Sequence, residues 1–407
     1  MASSPSRKER SSVSSTLISR SPDLCRLRDQ GYAVSIVGGH LLVADVPYVT
    51  SGRLVARGTL VSELSLAGQV TTNPVADHVV RFIGEMPCHP DGSPLHQLVI
   101  DSQPQQIDAQ LTTSYTFSHK PATGYPDYFA KMTTYAAILS SRAQAIDPTA
   151  TAQTYPPVAE DTVDSPMRYL DTAASRAGIT AVAARLAVSK VAIIGLGGTG
   201  SYVLDFLTKT PIGEIHLFDD DDFLQHNAFR SPGAATLEEL RAHPAKVDYH
   251  TARYTAMHRK VIPHRVALDE STVEGIDDME FVFMCIDDGP SKKIIMERCE
   301  QRGIPFVDTG IGVNVIDGAL SGIVRTTISR PDPTSRAAAR SQISLGDVGD
   351  DAYHHGVQLA ELNAFNAALA VIAFKKTLGF YADLASIDSI NYTLATNEMD
   401  NVGGEDA

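Results

Sequence analysis

The residues Gly195-Leu196-Gly197-Gly198-Thr199-Gly200-Ser201 place glycine at four of the first six positions. They follow the apolar run Val191-Ala192-Ile193-Ile194 and precede a helix-like segment, Tyr202 to Lys209. Strand, glycine turn and helix N-terminus together present bare backbone N–H groups where the helix dipole is positive, which makes a phosphate site. A Cβ in the turn would hold a phosphate away from the backbone. Many nucleotide folds share such a loop, so the polar residues downstream decide what is done with the phosphate.

A second strand, Gly213 to Asp219, runs into Asp219-Asp220-Asp221-Asp222, and Asn227, Arg230 and Lys246 follow. In a dinucleotide fold a single acid at this place receives the ribose hydroxyls. Four adjacent carboxylates repel one another and call for a cation nearby. An acidic surface loop would also account for the run. Against it stand Arg230, Lys246 at the start of a helix, and the pair Asp287-Asp288 after Cys285-Ile286, at the carboxyl end of a later strand. That rim is where open α/β sheets bind ligands.

Together these residues resemble the ThiF/MoeB superfamily, which includes the ubiquitin-activating enzymes, over about Met167 to Lys376. The family patterns are GxGGxGS, DxDxVxxSNLxRQ, a lysine in a GxPK-like turn, and a D-N pair after a strand. The resemblance makes Gly195, Gly197, Gly198, Gly200 and Ser201 the phosphate loop, Asp219 the ribose-binding acid and Asp221 the second acid of DxD. It implies that Asn227 and Arg230 meet the triphosphate, that Lys246 is the family lysine, and that Asp287 carries Mg²⁺. Arg168, with Arg176 as second choice, takes the place of an arginine that a partner subunit lays over the γ-phosphate, which implies a homodimer. His226, Ser231 and Asp288 depart from the family's Ser, Gln and Asn, and none removes a charge.

The implied activity is ATP- and Mg²⁺-dependent adenylation of the C-terminal carboxylate of a ubiquitin-like protein. Arg230 and Lys246 would neutralise phosphate charge as it redistributes, and a carboxylate is already a nucleophile. The implied setting is a bacterial ubiquitin-like conjugation pathway in the cytoplasm, some such systems having antiphage roles, with an acceptor or conjugating enzyme as a further partner. Conjugating members resemble one another in taking the acyl group on a crossover-loop cysteine, but no cysteine stands between Arg302 and the end of the chain. Cys285 and Cys299 read as core residues of a strand and a helix. Three routes stay open: direct transfer to a partner, an oxyester on Ser329, Ser335, Ser341 or Ser344 with His354 or His355 as base, or Cys88. The pair Cys88-His89 otherwise reads as an incidental thiol beside a Pro-Asp-Gly turn. No CxxC pair is present, so no zinc site is expected.

These residues need a sheet to position them. Strands over Gly213–Asp219, Phe281–Ile286 and Pro305–Asp308 alternate with helices over Ala245–Met257 and over Ser291–Arg302, closed by Gly303. The fold class expected is therefore α/β, a doubly wound, mostly parallel, Rossmann-like sheet. It spans 166–396, with a crossover loop at 330–356, an apolar helix over Gln358–Lys376 and a last strand over Ile387–Leu394, before an acidic tail at 397–407. Ahead of it lie a Ser-rich disordered tail (1–20), a smaller α+β domain (21–146) and a Pro-, Thr- and Asp-rich linker (147–165). The smaller domain has strand runs at Ala33–Val37, His40–Val46, Gly52–Leu60 and His78–Phe82, and an amphipathic helix over Pro126–Arg142. It resembles uncharacterised domains fused to ThiF-like proteins, which implies recruitment of a ubiquitin-like protein or its acceptor, or dimerisation.

The 407 residues carry a net charge of −14, which disfavours nucleic acid and anionic membranes as partners. Activation of a small-molecule or tRNA carboxylate is one other reading, the acidic surface making tRNA less attractive, and two rivals of other classes share part of the pattern. An NAD-dependent oxidoreductase explains the glycine loop but not Asp221, Asn227, Arg230, Lys246 and Asp287 together. A non-catalytic nucleotide-binding scaffold suits the missing cysteine but has little use for a full set of phosphate-neutralising groups.

Overall fold

A computed structural model of the chain describes residues 15–74, 77–109, 111–160, 164–345 and 357–403. The chain divides into two compact units, Met1–Val163 with Tyr169–Gly178, and Asp164–Arg168 with Ile179–Ala407.

The first unit is an antiparallel sheet in the order Ala33–Val37, His40–Val49, Val55–Glu63, Val79–Ile83, Tyr115–Ser118 and Val99–Asp101. The helix Tyr128–Gln144 packs on it, started by Asp127, whose side chain accepts the Ala130 N–H at 2.6 Å, and the shorter helix Pro22–Asp29 adds Leu24 and Leu27 to the same core. Tyr128, Met132, Tyr135 and Leu139 recur at helical spacing and are buried against Leu41, Val43, Leu60, Phe82 and Phe117. Lys131 on the same helix is fully buried, and Asp77 at 2.8 Å and Ser62 at 2.9 Å satisfy its ammonium.

In the second unit, β1 (Lys190–Ile194), β2 (Glu214–Phe218), β3 (Val261–His264), β4 (Phe281–Met284) and the first residues of β5 (Phe306–Ile316) pair in parallel, in the order β3-β2-β1-β4-β5. β6 (Ala319–Ser329), β7 (Ser389–Thr393) and β8 (Glu398–Val402) extend the sheet antiparallel. The central strands are apolar throughout because helices cover both faces. Val191 and Ile193 pack against α1 (Gly198–Leu207) and the later helix Ala360–Thr377; Ala192 and Ile194 face the side of α3 (Gly289–Arg302). α2 (Lys246–Tyr254) joins β2 to β3. The strand order reverses between β1 and β4, which opens a crevice at their carboxyl ends. Gly303 ends α3 in the left-handed region at φ 70°.

The structure departs from the expected domain boundaries as follows. Residues 15–20 of the expected disordered tail are helical, with Ile18 buried. The expected linker packs onto the first unit through buried Ala150 and Ala152 and a bridge between Tyr32 and Gln153. The crossover stretch 330–356 is not all loop: α4 (Pro333–Gln342) starts on Asp332, whose carboxylate accepts the Ser335 N–H, and residues 346–356 lie outside the described residues. The acidic tail contributes β8. We label the helix Ala360–Thr377 α5.

A Cβ on Gly200 would stand 1.8 Å from the Gly195 carbonyl oxygen. Gly200→Ala should therefore cost about 3 kcal/mol of stability, measured as a lowered midpoint in thermal or denaturant unfolding.

Candidate functional site

The glycine turn hangs between the ends of β1 and β4. Gly195 sits at φ +85°, and a Cβ on it would lie 2.6 Å from the Cys285 carbonyl oxygen. A Cβ on Gly198 would strike the Asn363 side chain at 2.1 Å. Gly195, Gly198 and Gly200 are thus required by the protein's own packing. Gly197 is different: a Cβ there meets nothing within 4 Å. The turn is open on that side, at the N-terminus of α1, which leaves a cradle that a Cβ would fill. Ser201 is fully buried and its hydroxyl donates to the Gly198 carbonyl at 2.7 Å, so its side chain shapes the loop from within instead of facing a ligand.

Asp219 directly follows β2 and is buried. Its Oδ2 accepts the Leu196 N–H at 2.7 Å and its Oδ1 the Asp221 N–H at 3.0 Å. The Lys246 ammonium stands 3.3 Å from Asp219 and 2.6 Å from Asp221. Lys246 begins α2 and is held there by its own N–H, which donates to the Asp221 carbonyl at 2.9 Å.

The short helix Gln225–Ala228 brings Asn227 inward, 1 % exposed, with its Oδ1 accepting the Leu224 N–H. Its Nδ2 has no hydrogen-bond partner; neither do Arg230 Nε, Ser231 Oγ or either ring nitrogen of His250, all buried. Each unmet group costs about 1–3 kcal/mol. Acceptor-rich anions such as phosphates would satisfy the two donors at Asn227 and Arg230. Burial pushes the Arg230 guanidinium below its ordinary value, and Asp287 and then Asp221 pull it back up. Asp287 is exposed at the rim. Asp288 caps α3 by accepting the Ser291 N–H at 2.8 Å, a task Asn performs equally well.

Other expected residues are placed elsewhere. Arg168 is exposed and its Nε donates to the Thr255 carbonyl at the end of α2; Arg176 is exposed in the first unit. Burial raises the Cys88 thiol and pushes Cys285 and Cys299 up to about 12. Ser329 and Ser335 are buried, Ser335 donating to Asp388 at 2.7 Å, while Ser341 and Ser344 are exposed. His354 and His355 lie outside the described residues. Among the described residues no group of three or more His, Cys, Asp or Glu is arranged to hold a metal. No helix among them is long and apolar enough to cross a membrane.

Sequence reasoning missed three groups. Asn363 on α5 accepts the Thr199 hydroxyl at 2.9 Å beneath the glycine turn. His250, one turn along α2 from Lys246, is held down to about 3 by burial, so it is neutral. Lys292, Asp308 and Arg325 form a buried ionic cluster. The i, i+4 spacing from Lys246 was the only signal for His250; the others join residues far apart in sequence.

The ThiF family model matches residues 172–400, more than half of the chain. The chain belongs to the ThiF family. Residues 22–172 of this ThiF-family chain match a domain of unknown function (DUF6791). It is similar to ubiquitin-like modifier-activating enzyme 5 of Branchiostoma floridae, 25% identical over 255 residues, 60% of this chain and 61% of that one. The enzyme of the same name from Aedes aegypti is 24% identical over 256 residues, 58% of this chain and 61% of that one. The ThiF-family chain therefore spans about three fifths of the length of these relatives. Among solved structures, E. coli MccB aligns with a TM-score of 0.45 at 18% identity, over 55% of this chain and 64% of that one. PaaA aligns with a TM-score of 0.44 at 21% identity, over 55% and 66%.

Gly197→Ala should change stability by less than about 1 kcal/mol, yet weaken binding of a phosphate ligand, with ATP as the probe, about 10-fold or more by filling the open side of the turn. Unfolding curves and ATP titration of the one variant check both halves.

Proposed function

We propose that the chain is an ATP-dependent adenylating enzyme acting on the C-terminal carboxylate of a ubiquitin-like protein. The observation that carries this is the pair of unmet buried donors, Asn227 Nδ2 and Arg230 Nε, in the same site as Lys246 and Asp287, with the glycine turn open at Gly197. Membership of the ThiF family and the names of the activating-enzyme relatives support it.

In the proposed reaction a carboxylate oxygen of the substrate bonds to the α-phosphorus of ATP. The bond from that phosphorus to the bridging oxygen breaks, and pyrophosphate leaves with its electron pair. The α1 N-terminus and Gly197 hold phosphate, while Asn227, Arg230 and Lys246 bear the charge that shifts toward the leaving group. Mg²⁺, when bound, would supply Lewis-acid charge on the phosphate oxygens from Asp287. A homodimer in which Arg168 serves the partner's site belongs to the same proposal. The raised thiols at all four cysteines, Cys25, Cys88, Cys285 and Cys299, favour direct transfer to an external nucleophile over a thioester on this chain.

ATP–pyrophosphate exchange with a cognate ubiquitin-like protein should fall about 100-fold or more in Arg230→Ala and in Asp287→Ala. Asp287 is exposed, so its variant should keep the parent's unfolding midpoint. Exchange untouched by both substitutions would sink the proposal. Iodoacetamide at neutral pH should leave Cys88, Cys285 and Cys299 unmodified in the folded protein, read by peptide mass spectrometry.

A further inference from the structure

A second charged cluster stands at the carboxyl end of the sheet, on the far side of β4 from Asp219, and the phosphate groups proposed above do not use it. Asp308 closes the parallel part of β5, in register with Met284, and is fully buried. Lys292, in the first turns of α3, places its ammonium 2.7 Å from Asp308 Oδ1, and Arg325 on β6 places Nη2 2.9 Å from Oδ2. Arg325 Nη1 donates to the Gln342 carbonyl at 2.7 Å. A Cβ on Gly310 would come within 3.1 Å of Arg325 Nη2, so the guanidinium packs close against the β5 backbone there.

Two cations against one carboxylate leave one positive charge unmatched within the cluster. The side chains of Lys292 and Arg325 are only 5% and 20% exposed, so that charge is poorly solvated. Arg325 Nε also has no hydrogen-bond partner. The N-terminus of α3 adds positive potential on the same side. The loop Cys285–Asp288 that carries Asp287 leads directly into that helix. The cluster therefore lies toward β5 and β6, away from the side of β2 where Asp219 stands.

We propose that Arg325, held by Asp308 and reinforced by Lys292, receives the carboxylate of the acyl substrate and orients its non-attacking oxygen. This rests on the adenylation reading. Arg325 supplies charge and direction; the bond formed and the bond broken are those given above.

The test uses the full chain and two probes, 5′-O-sulfamoyladenosine and the same molecule bearing an N-acetylglycyl group on the sulfamate. The parent protein should bind the acylated probe more tightly. Arg325→Met should lose about 10-fold or more for the acylated probe and keep its affinity for the bare one. Arg325→Lys should recover part of the loss. Lys292→Met, which leaves Arg325 paired to Asp308, should show a smaller loss of the same kind, so the test survives if the Arg325 variant does not fold. Equal losses on both probes would assign the cluster to nucleotide phosphate and overturn the proposal. If the parent gains from the acyl group and both folded variants keep that gain, this inference fails alone. If the parent gains nothing from the acyl group and does not bind ATP, the adenylation reading fails with it.

Discussion

One buried carboxylate organises the crevice. Asp219 accepts the Leu196 N–H with one oxygen and the Asp221 N–H with the other, and Lys246 stands against both Asp219 and Asp221. The glycine turn, the acid run and the first residue of α2 are thereby fixed to a single side chain. Removing either partner of a buried ion pair leaves a charge uncompensated, which costs about 3–5 kcal/mol. This also accounts for four consecutive acids. Lys246 answers Asp219 and Asp221, Arg265 answers Asp222 at 2.8 Å, and Asp220 is exposed.

A second constraint runs through α5. Its core face carries two asparagines among alanines and phenylalanines. Asn363 accepts the Thr199 hydroxyl under the glycine turn, and Asn366 accepts from Thr326 and donates to the Gly310 carbonyl. One helix thus registers the phosphate turn against the β5–β6 hairpin that holds Arg325. The closeness of Gly198 to Asn363 shows how little play remains. In this half of the chain, packing and candidate chemistry are set by the same contacts.

Much of this was legible in the residues. The run Val191–Ile194 is apolar without alternation because both faces are covered, and Gly195–Ser201 announces the turn. Helix signals were equally plain where a cap was present, as with Asp127 before Tyr128 and Gly303 after Arg302. β6 was not foreseen: Ser321, Arg325, Thr326 and Thr327 interrupt its apolar pattern, and Asp308 and Asn366 answer that polarity from distant parts of the chain. α4 hid for a similar reason, since its alanines and arginines give a weak stripe and its start depends on an Asp332 cap. Ser201 read as a ligand contact because its spacing fits, yet spacing carries no information about which way a hydroxyl turns. Asp308 and Arg325 lie on adjacent strands and Lys292 on the helix before them, so only the fold reveals their shared charge.

An open sheet has two edges, and each is an invitation to another strand. At one edge β3 carries Pro263, which has no N–H to offer. At the other, β8 carries Glu398 and Asp400, exposed and negative, over a strand that reads in sequence as an acidic tail. A chain trimmed before Glu398 would lay bare β7, whose Ile390 and Tyr392 alternate along unpaired backbone. Two copies of β8 brought edge to edge would set Glu398 and Asp400 against like charges, which disfavours that one mode of pairing.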